Sequence, residues 1–184
     1  MAGNREVADD GCGRALNPAG SSHREASQPL WSAVDLAMMR LALDEAHRAA
    51  VAGEVPVGAV VVMGEQLVAS AHNLRETLAD PTAHAELLAI RAAAARVGTW
   101  RLQGATCYAT MEPCPMCAGA LWLARADRLV FGVADPKAGA AGTLYNVVSD
   151  LRLNHRLRVE SGLLAAECRS VVQGFFRERR AGQR

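Results

Sequence analysis

The chain has 184 residues and a formal net charge of +1, and 51% of its residues are hydrophobic while only 4% are aromatic. Its length suits one domain with one core, and the near-neutral charge excludes a uniformly basic surface for nucleic acid, although it allows a local basic patch. Five cysteines, with no apolar leader and no membrane-length run, favour a reducing cytoplasm over a disulfide-stapled or membrane-spanning protein.

The first 30 residues differ in composition from the rest of the chain. They are rich in Gly, Ala, Ser, Asn and Asp and show neither helical nor strand periodicity. This composition predicts a disordered N-terminal tail at residues 1–30, in which Cys12 and His23 have no role. Residues 31–184 are predicted to form the functional domain.

The first half of that domain predicts a helix, a hairpin and a second helix. Ser32 and Asp35 have the spacing of a capping box, and apolar residues follow at steps of three and four. A β-branched run and a returning strand predict a hairpin whose first strand is fully buried. The second helix is Ala-rich and stops at a glycine suited to a C-cap. The predicted ranges are residues 33–52, 57–63, 67–72 and 82–97.

The second half alternates strands and helices, which predicts an α/β domain in three layers. Strands are predicted at residues 105–110, 128–133 and, weakly, 157–160, and helices at 114–125, 144–149 and 164–180. The helix at 114–125 is apolar nearly all round, so we expect it to be covered on more than one side. Contact with a second copy of the chain would explain that pattern.

Two short motifs predict a catalytic metal site. Cys114 and Cys117 are one helical turn apart directly after an apolar strand, and His84 precedes Glu86 by two positions. Three protein ligands and an open fourth position are typical of catalytic zinc, whereas structural zinc takes four ligands. Glu86 is an unsuitable fourth ligand, because positions i and i+2 of a helix do not face one another. It is better placed to reach the water of the metal.

The combination His-x-Glu with Pro-Cys-x-x-Cys is the established signature of zinc-dependent nucleobase deaminases. Within that superfamily the chain resembles the bacterial tRNA-specific adenosine deaminases, from about residue 39 to residue 180. The resemblance rests on residues 54–60 (EVPVGAV), 80–86 (DPTAHAE), 112–120 (EPCPMCAGA), 135–142 (DPKAGAAG) and 175–177 (FFR).

This resemblance implies a three-layer α/β/α cytidine deaminase-like fold with a central mixed sheet of about five strands. It implies one Zn²⁺ per subunit, bound by His84, Cys114 and Cys117, and Glu86 as the proton shuttle. The implied reaction is hydrolytic deamination of adenosine to inosine at the wobble position of a tRNA anticodon. The implied assembly is a homodimer that binds the anticodon stem-loop.

Four further residues match family positions that bind substrate. Asn73 matches an asparagine that hydrogen-bonds the target nucleoside, and Val57 matches a residue that packs on the base. Asp135 and Lys137 match residues that contact the flanking nucleotide. An ordinary structural role stays open for each of the four. Asn73 and Asp135 would then be turn residues, Val57 a core residue and Lys137 a solvent-exposed charge. The chain departs from many relatives at Ala134, where they have arginine, and at Ala138, where they have threonine or glycine, so we expect RNA contacts there to be weaker or to be supplied elsewhere.

Two C-terminal segments have no settled role. An arginine-rich end beside Phe175 and Phe176 suits RNA binding by charge and stacking, and it equally suits a helix packed on the sheet with a solvated end. The segment 154–156 (NHR) also resembles a family segment.

Two other functions compete with tRNA deamination. One is a deaminase of the same superfamily that acts on a free base or nucleoside, such as guanine, with the same zinc site. The other is a non-catalytic RNA-binding scaffold with structural zinc, against which Glu86 argues, since a structural site needs no proton shuttle.

Overall fold

The computed structural model describes residues 31–182. The predicted tail at residues 1–30, with Cys12 and His23, lies outside the described residues. None of the helices within residues 31–182 combines the length and the apolar character that crossing a bilayer requires.

Five strands and five helices make up the described domain. In chain order they are α1 (Ala33–Val51), β1 (Gly58–Met63), β2 (Gln66–His72), α2 (Arg75–Leu78), α3 (Ala85–Val97), β3 (Ala105–Met111), α4 (Pro115–Leu123), β4 (Arg128–Val133), β5 (Arg158–Ser161) and α5 (Ala165–Ala181).

The five strands form one mixed sheet in the order β2-β1-β3-β4-β5. β1 is antiparallel to β2 and to β3, whereas β3, β4 and β5 run parallel. The start of β1 therefore lies at the same edge of the sheet as the ends of β2, β3 and β4. Asn73, Glu112 and Ala134 directly follow those three strand ends and are brought to this one edge.

Helices cover both faces of the sheet, so the predicted three-layer α/β/α fold is confirmed. Ala59 and Val61 of β1 face the cluster that contains α3 and α4, while Val60 and Val62 face the cluster that contains α1 and α5. At the start of β1 the layers approach closely, because a Cβ on Gly58 would lie 2.0 Å from the carbonyl oxygen of Ala42. Only glycine fits between α1 and the sheet at this point.

Most predicted elements are present within one or two residues of their predicted bounds. The capping box of α1 is confirmed, since the Ser32 hydroxyl accepts from the Asp35 N–H and the Asp35 carboxylate accepts from the Ser32 N–H. The hairpin, β3, β4, the weak strand β5 and the last helix are also confirmed. The second predicted helix begins three residues late, at Ala85, because His84 is its N-cap.

The structure differs from the predicted elements at two places. The short helix α2 was not predicted, and the helix predicted at residues 144–149 is wrong. That segment is a turn in which the Asn146 side-chain oxygen accepts hydrogen bonds from the N–H and the hydroxyl of Ser149. Asn146 also pairs with Ala141 in an isolated bridge. Side-chain hydrogen bonds of this kind offer the backbone an alternative to the helix.

The helix α4 buries only one side within the described chain. Cys117, Ala118 and Leu121 are buried, whereas Leu123 is 61% exposed. The 154–156 segment lies beside this helix, because the Trp122 indole donates to the carbonyl of His155 over 3.1 Å. Asn154 accepts a hydrogen bond from the Arg125 side chain.

Candidate active site

The metal-binding candidates lie where two helices begin. His84 is the N-cap of α3 and Cys114 is the N-cap of α4, and Cys117 follows within the first turn of α4. Pro115 occupies the first helical position of α4, where its missing N–H leaves no hydrogen bond unmade. The partial positive charge of a helix start favours thiolates at this place.

The three candidate donors meet at bonding geometry for one metal ion. His84 Nδ1 lies 3.6 Å from the Sγ of Cys114 and 3.6 Å from the Sγ of Cys117, and all three atoms lie within 4.8 Å of one another. A tetrahedral zinc with ordinary Zn–S and Zn–N bond lengths separates nitrogen from sulfur by about 3.5 Å. The donor set therefore fits Zn²⁺ with a fourth position open. In residues 31–182 Cys107 and Cys168 are buried and do not join this group.

The two thiols of the site are electrostatically unlike. The pKa of Cys114 is lowered to about 4, first by the hydrogen bond from Cys117 and, against the effect of burial, by the bond with His84. The pKa of Cys117 is raised, because it donates to Cys114 and is buried. The hydrogen bond with Cys114 also raises the pKa of His84. Cys114 is thus the sulfur that carries negative charge most readily.

Glu86 is a buried acid beside the metal donors. Its side chain is 4% exposed, and burial raises the pKa of its carboxyl group above the ordinary value for glutamate. Glu86 lines the same cavity as His84 and Cys114. An acid of raised pKa in a cavity is suited to exchange protons near neutral pH.

The cavity has a volume of about 240 Å³ and brings together most of the predicted site residues. Val57, Asn73 and Asp135 line it together with His84, Glu86 and Cys114. The other lining residues are Val55, Arg75, Ala85, Met111, Glu112 and Ala138.

Lys137 does not line this cavity. It lies in a separate groove, the basic groove, whose other lining residues are Val172, Gln173, Phe176, Arg177 and Arg180. Three of these six side chains are cationic and none is acidic, and Phe176 is 41% exposed. Lys137 and the arginine-rich end of α5 therefore line one groove, a proximity that was not predicted from the sequence.

A buried glutamate holds one wall of the cavity. Glu112, directly after β3, accepts hydrogen bonds from the N–H groups of Asp135, Ala141 and Thr143 and from the hydroxyl of Thr143. Burial alone would raise its pKa, but the bonds from Thr143 and the other N–H groups outweigh burial and lower it. No role for Glu112 is apparent from the sequence, although it lies directly before the Pro-Cys motif.

A second glutamate, Glu54, holds the opposite wall. Its carboxylate accepts from the Nδ2 of Asn73 over 3.3 Å and from the N–H groups of Glu76 and Thr77 over 3.2 and 2.7 Å. The backbone of Asn73 is fixed as well, because its N–H donates to the carbonyl of Val57. Glu54 was also missed, and its only signal in the sequence is a charge just before a buried strand.

Comparisons with known proteins agree with this geometry. A sequence profile of the MafB19-like deaminases matches residues 34–180. A tRNA-specific adenosine deaminase of Bacillus subtilis is 52% identical over 142 residues, which are 77% of this chain and 88% of that protein.

Solved structures extend the comparison to the fold. A structure from a study of A-to-I editing by tRNA:A34 deaminases is 42% identical, with a TM-score of 0.71, and covers 73% of this chain and 98% of its own. A guanine deaminase of Bacillus subtilis is 36% identical, with a TM-score of 0.53, and covers 58% of this chain and 69% of its own. By these matches, this chain belongs to the deaminase superfamily and, within it, to the family of tRNA-specific adenosine deaminases.

Proposed function

We propose that the protein deaminates adenosine to inosine at the wobble position of a tRNA anticodon, with one Zn²⁺ per chain. The observation that carries this proposal is the cluster of three metal donors, two of which line one cavity together with the buried acid Glu86. Relatives named tRNA-specific adenosine deaminase support the choice of substrate, since the likeness spans most of both chains.

His84, Cys114 and Cys117 would hold the zinc, which supplies Lewis acidity that lowers the pKa of a water molecule toward neutrality. Glu86 accepts a proton from the attacking water, whose oxygen forms a bond to C6 of adenine. Glu86 passes this proton to the ring nitrogen N1, and it then takes the proton of the hydroxyl group now on C6 and delivers it to the departing amine. The C6–N6 bond breaks, ammonia leaves and inosine remains, so a single carboxyl group serves as base and as acid.

The walls of the cavity position the nucleoside in this proposal. Asn73 hydrogen-bonds the target nucleoside, Val57 packs on the base, and Asp135 contacts the neighbouring ribose. All three line the cavity that contains Glu86. A base in an unpaired anticodon loop reaches such a cavity at a lower unstacking cost than a base in a duplex.

The basic groove supplies the grip on RNA in this proposal. Lys137, Arg177 and Arg180 place three cations around it, and the exposed ring of Phe176 offers a stacking surface. Backbone phosphates and unstacked bases are bound by this combination in single-stranded RNA. The groove reconciles RNA binding with a net charge of only +1, because the positive charge is local.

We further propose that the chain is a homodimer and acts in the cytoplasm. Besides Leu123 on α4, Leu144, Tyr145 and Leu151 of the loop that follows β4 are exposed, and exposed apolar surface of this kind favours burial against a partner. A reducing compartment keeps Cys114 and Cys117 from forming a disulfide, so that both remain available to bind zinc. Sedimentation velocity tests the assembly: the protein should sediment as a dimer, and Leu123→Glu should yield monomers. A wild-type monomer would contradict the homodimer.

Guanine deamination is the alternative with a structural precedent. The guanine deaminase of Bacillus subtilis is less similar in identity, coverage and TM-score than the tRNA:A34 deaminase. The cations of the basic groove also favour RNA, because a free base carries no phosphate for them to bind. The non-catalytic scaffold is disfavoured by Glu86, since a buried carboxyl group of raised pKa contributes nothing to holding a metal.

The deciding experiment measures zinc content and then ammonia and inosine release by the purified protein. The substrates are an anticodon stem-loop with a wobble adenosine, the same stem-loop with that adenosine replaced by guanosine, and free guanine, adenosine and cytidine. We expect one zinc per chain and inosine from the first substrate alone. Release of ammonia from free guanine alone would establish the alternative. No activity with full zinc occupancy would support the scaffold.

A further inference from the structure

The buried glutamate Glu54 has the surroundings of a group that orients another side chain. It is 0% exposed and lies outside the set of residues that line the cavity. Its two oxygens accept three hydrogen bonds, one from the side chain of Asn73 and two from backbone N–H groups of α2. It therefore reaches the cavity only through its partners.

The charge of Glu54 determines which end of the Asn73 amide faces it. Burial raises the pKa of Glu54, but the bonds from the N–H groups of Thr77 and Glu76, with the nearby Arg75, lower it overall. An ionised carboxylate accepts hydrogen bonds and donates none. The amide group that lies 3.3 Å from it must therefore be the NH₂ of Asn73, and the carbonyl oxygen must point elsewhere.

The carbonyl oxygen of Asn73 is the free end of the amide. Within residues 31–182 the Asn73 side chain makes no hydrogen bond other than the one to Glu54. No side-chain oxygen or nitrogen in this part of the chain is both enclosed and unpaired, so Oδ1 is accessible to solvent. Since Asn73 is 5% exposed and lines the cavity, that access is from the cavity.

We propose that Glu54 is a positioning residue that locks the amide of Asn73, so that Asn73 meets the target nucleoside with its carbonyl oxygen and one remaining N–H. This inference rests on the proposed function, in which Asn73 binds the nucleoside. Glu54 sets the pattern of donor and acceptor on this wall without touching substrate.

Glu54→Gln tests the lock with almost no change of shape. The glutamine amide has one oxygen and one NH₂, and its NH₂ must replace one of the two glutamate oxygens. In one orientation this NH₂ faces the NH₂ of Asn73 and the N–H of Glu76, and in the other it faces the N–H of Thr77. Either way a donor meets a donor, and no hydrogen bond forms. Rotation of the Asn73 amide by half a turn relieves part of that conflict and reverses the groups offered to the substrate. We expect kcat/KM on the anticodon stem-loop to fall by about 10- to 100-fold.

A double-mutant cycle separates positioning from simple support of the fold. Asn73→Ala removes the amide through which Glu54 acts, so adding Glu54→Gln to Asn73→Ala should change kcat/KM by no more than about twofold. If Glu54→Gln lowers kcat/KM by the same factor in wild-type protein and in Asn73→Ala, Glu54 acts through α2 or the backbone, and the proposal is wrong. Zinc content should stay at one per chain in every variant, and zinc loss would equally overturn it.

A structural readout keeps the proposal testable without turnover. In wild-type protein labelled with ¹⁵N, the Asn73 side-chain NH₂, identified by its absence from Asn73→Ala, should show one proton shifted downfield by the buried carboxylate. The shift should vanish in Glu54→Gln. A wild-type spectrum without it would overturn the lock even if Glu54→Gln does not fold.

The matched control is Asp35→Asn, which removes another buried, multiply bonded carboxylate, on the face of the sheet that α1 covers. It should leave kcat/KM and the Asn73 resonance unchanged at 25 °C. Failure of the proposed function is recognised separately, because wild-type protein would then produce no inosine from the stem-loop while the Asn73 resonance still shows the lock.

Discussion

Two carboxyl groups on opposite faces of the sheet are buried to almost the same degree and behave in opposite ways. Glu86 of α3 is 4% exposed and Asp35 of α1 is 6% exposed. Burial raises the pKa of Glu86. Asp35 also meets a desolvation cost, but hydrogen bonds from Arg128, Tyr108 and Ser32 exceed it and lower its pKa well below the usual range for aspartate.

The difference lies in the donors that surround each group. Asp35 pairs with the Arg128 guanidinium and accepts from the Tyr108 hydroxyl over 2.8 Å, and Arg128 continues to Glu160 on β5. For Glu86 the bonds that favour its charge are too weak to offset burial. A buried acid with charged donors ties elements together, whereas one with few donors keeps a proton available for chemistry.

Glu86→Gln tests the catalytic side of this contrast and should have the largest effect. The amide keeps the shape of the side chain but carries no exchangeable acid proton, so deamination should fall by at least about 10³-fold. Because no charge-pairing network is lost, zinc content and melting temperature should be unchanged. Inosine release, metal analysis and thermal unfolding measure the three quantities. Substantial deamination by this variant would refute the role of Glu86.

Asp35→Asn tests the structural side of the contrast. It leaves the partly buried Arg128 without one of its two anionic partners, which should cost about 3 kcal/mol of unfolding free energy, or roughly 6–12 °C in melting temperature. Activity at 25 °C should be retained, since α1 lies on the face opposite the cavity. A loss of activity with an unchanged melting temperature would reverse the assignment of the two faces.

The same pair has a defined pH dependence. The pKa of Asp35 is lowered on folding, so its contribution to stability is present above the unfolded value of about 3.9 and is lost as pH falls toward the folded value. The gap in melting temperature between wild type and Asp35→Asn should therefore be constant from pH 7 to about 5 and shrink below about pH 4. A constant gap down to pH 3 would contradict the pairing.

Gly139→Ala tests a third carboxylate, Glu112. Like Asp35, Glu112 accepts several hydrogen bonds that lower its pKa, but it lines the cavity. An added Cβ would lie 2.3 Å from Glu112 Oε2 and 2.6 Å from the Asp135 carbonyl. Displacing these atoms should cost about 1–3 kcal/mol of unfolding free energy and raise KM for the stem-loop. Gly174→Ala is the control, because its nearest neighbour is a flexible Arg177 atom at 4.0 Å. It should stabilise α5 slightly.

Lys137→Ala should have the smallest effect, because an exposed charge acts on binding and not on folding. We expect KM for the stem-loop to rise by about threefold to tenfold, with a slope of log KM against log salt reduced by about 1. Melting temperature and kcat should not change. Arg40→Ala, an exposed cation on α1 outside the basic groove, is the control. An equal rise in KM for both variants would exclude a specific groove.

Most of the fold was predictable because its signals are local. The capping box at Ser32, the β-branched run of β1 and the glycine after α3 each act within a few residues. The helix α2 was not predicted, because its four residues are too few to show a periodic pattern and it has no side-chain cap. The false helix at residues 144–149 has an apolar start, but Asn146 bonds within the segment and forms a turn.

The metal half of the site was predictable from the sequence, whereas the two glutamates that anchor the substrate half were not. His84, Glu86, Cys114 and Cys117 lie in two motifs whose spacing carries the chemistry. Glu54 acts on residues 19 to 23 positions away and Glu112 on residues 23 to 31 positions away. No spacing rule links such positions, and only the meeting of strand ends at one edge brings them together.

The two glutamate anchors have an evolutionary consequence. Each wall of the cavity is fastened by its own carboxylate, Glu54 for Asn73 and Glu112 for the loop that carries Asp135, and neither fastening passes through His84 or the two cysteines. Mutations can therefore reshape one wall while the hydrolytic machinery stays intact. Substitutions that change substrate preference at one wall should therefore reduce activity on the original substrate without removing it.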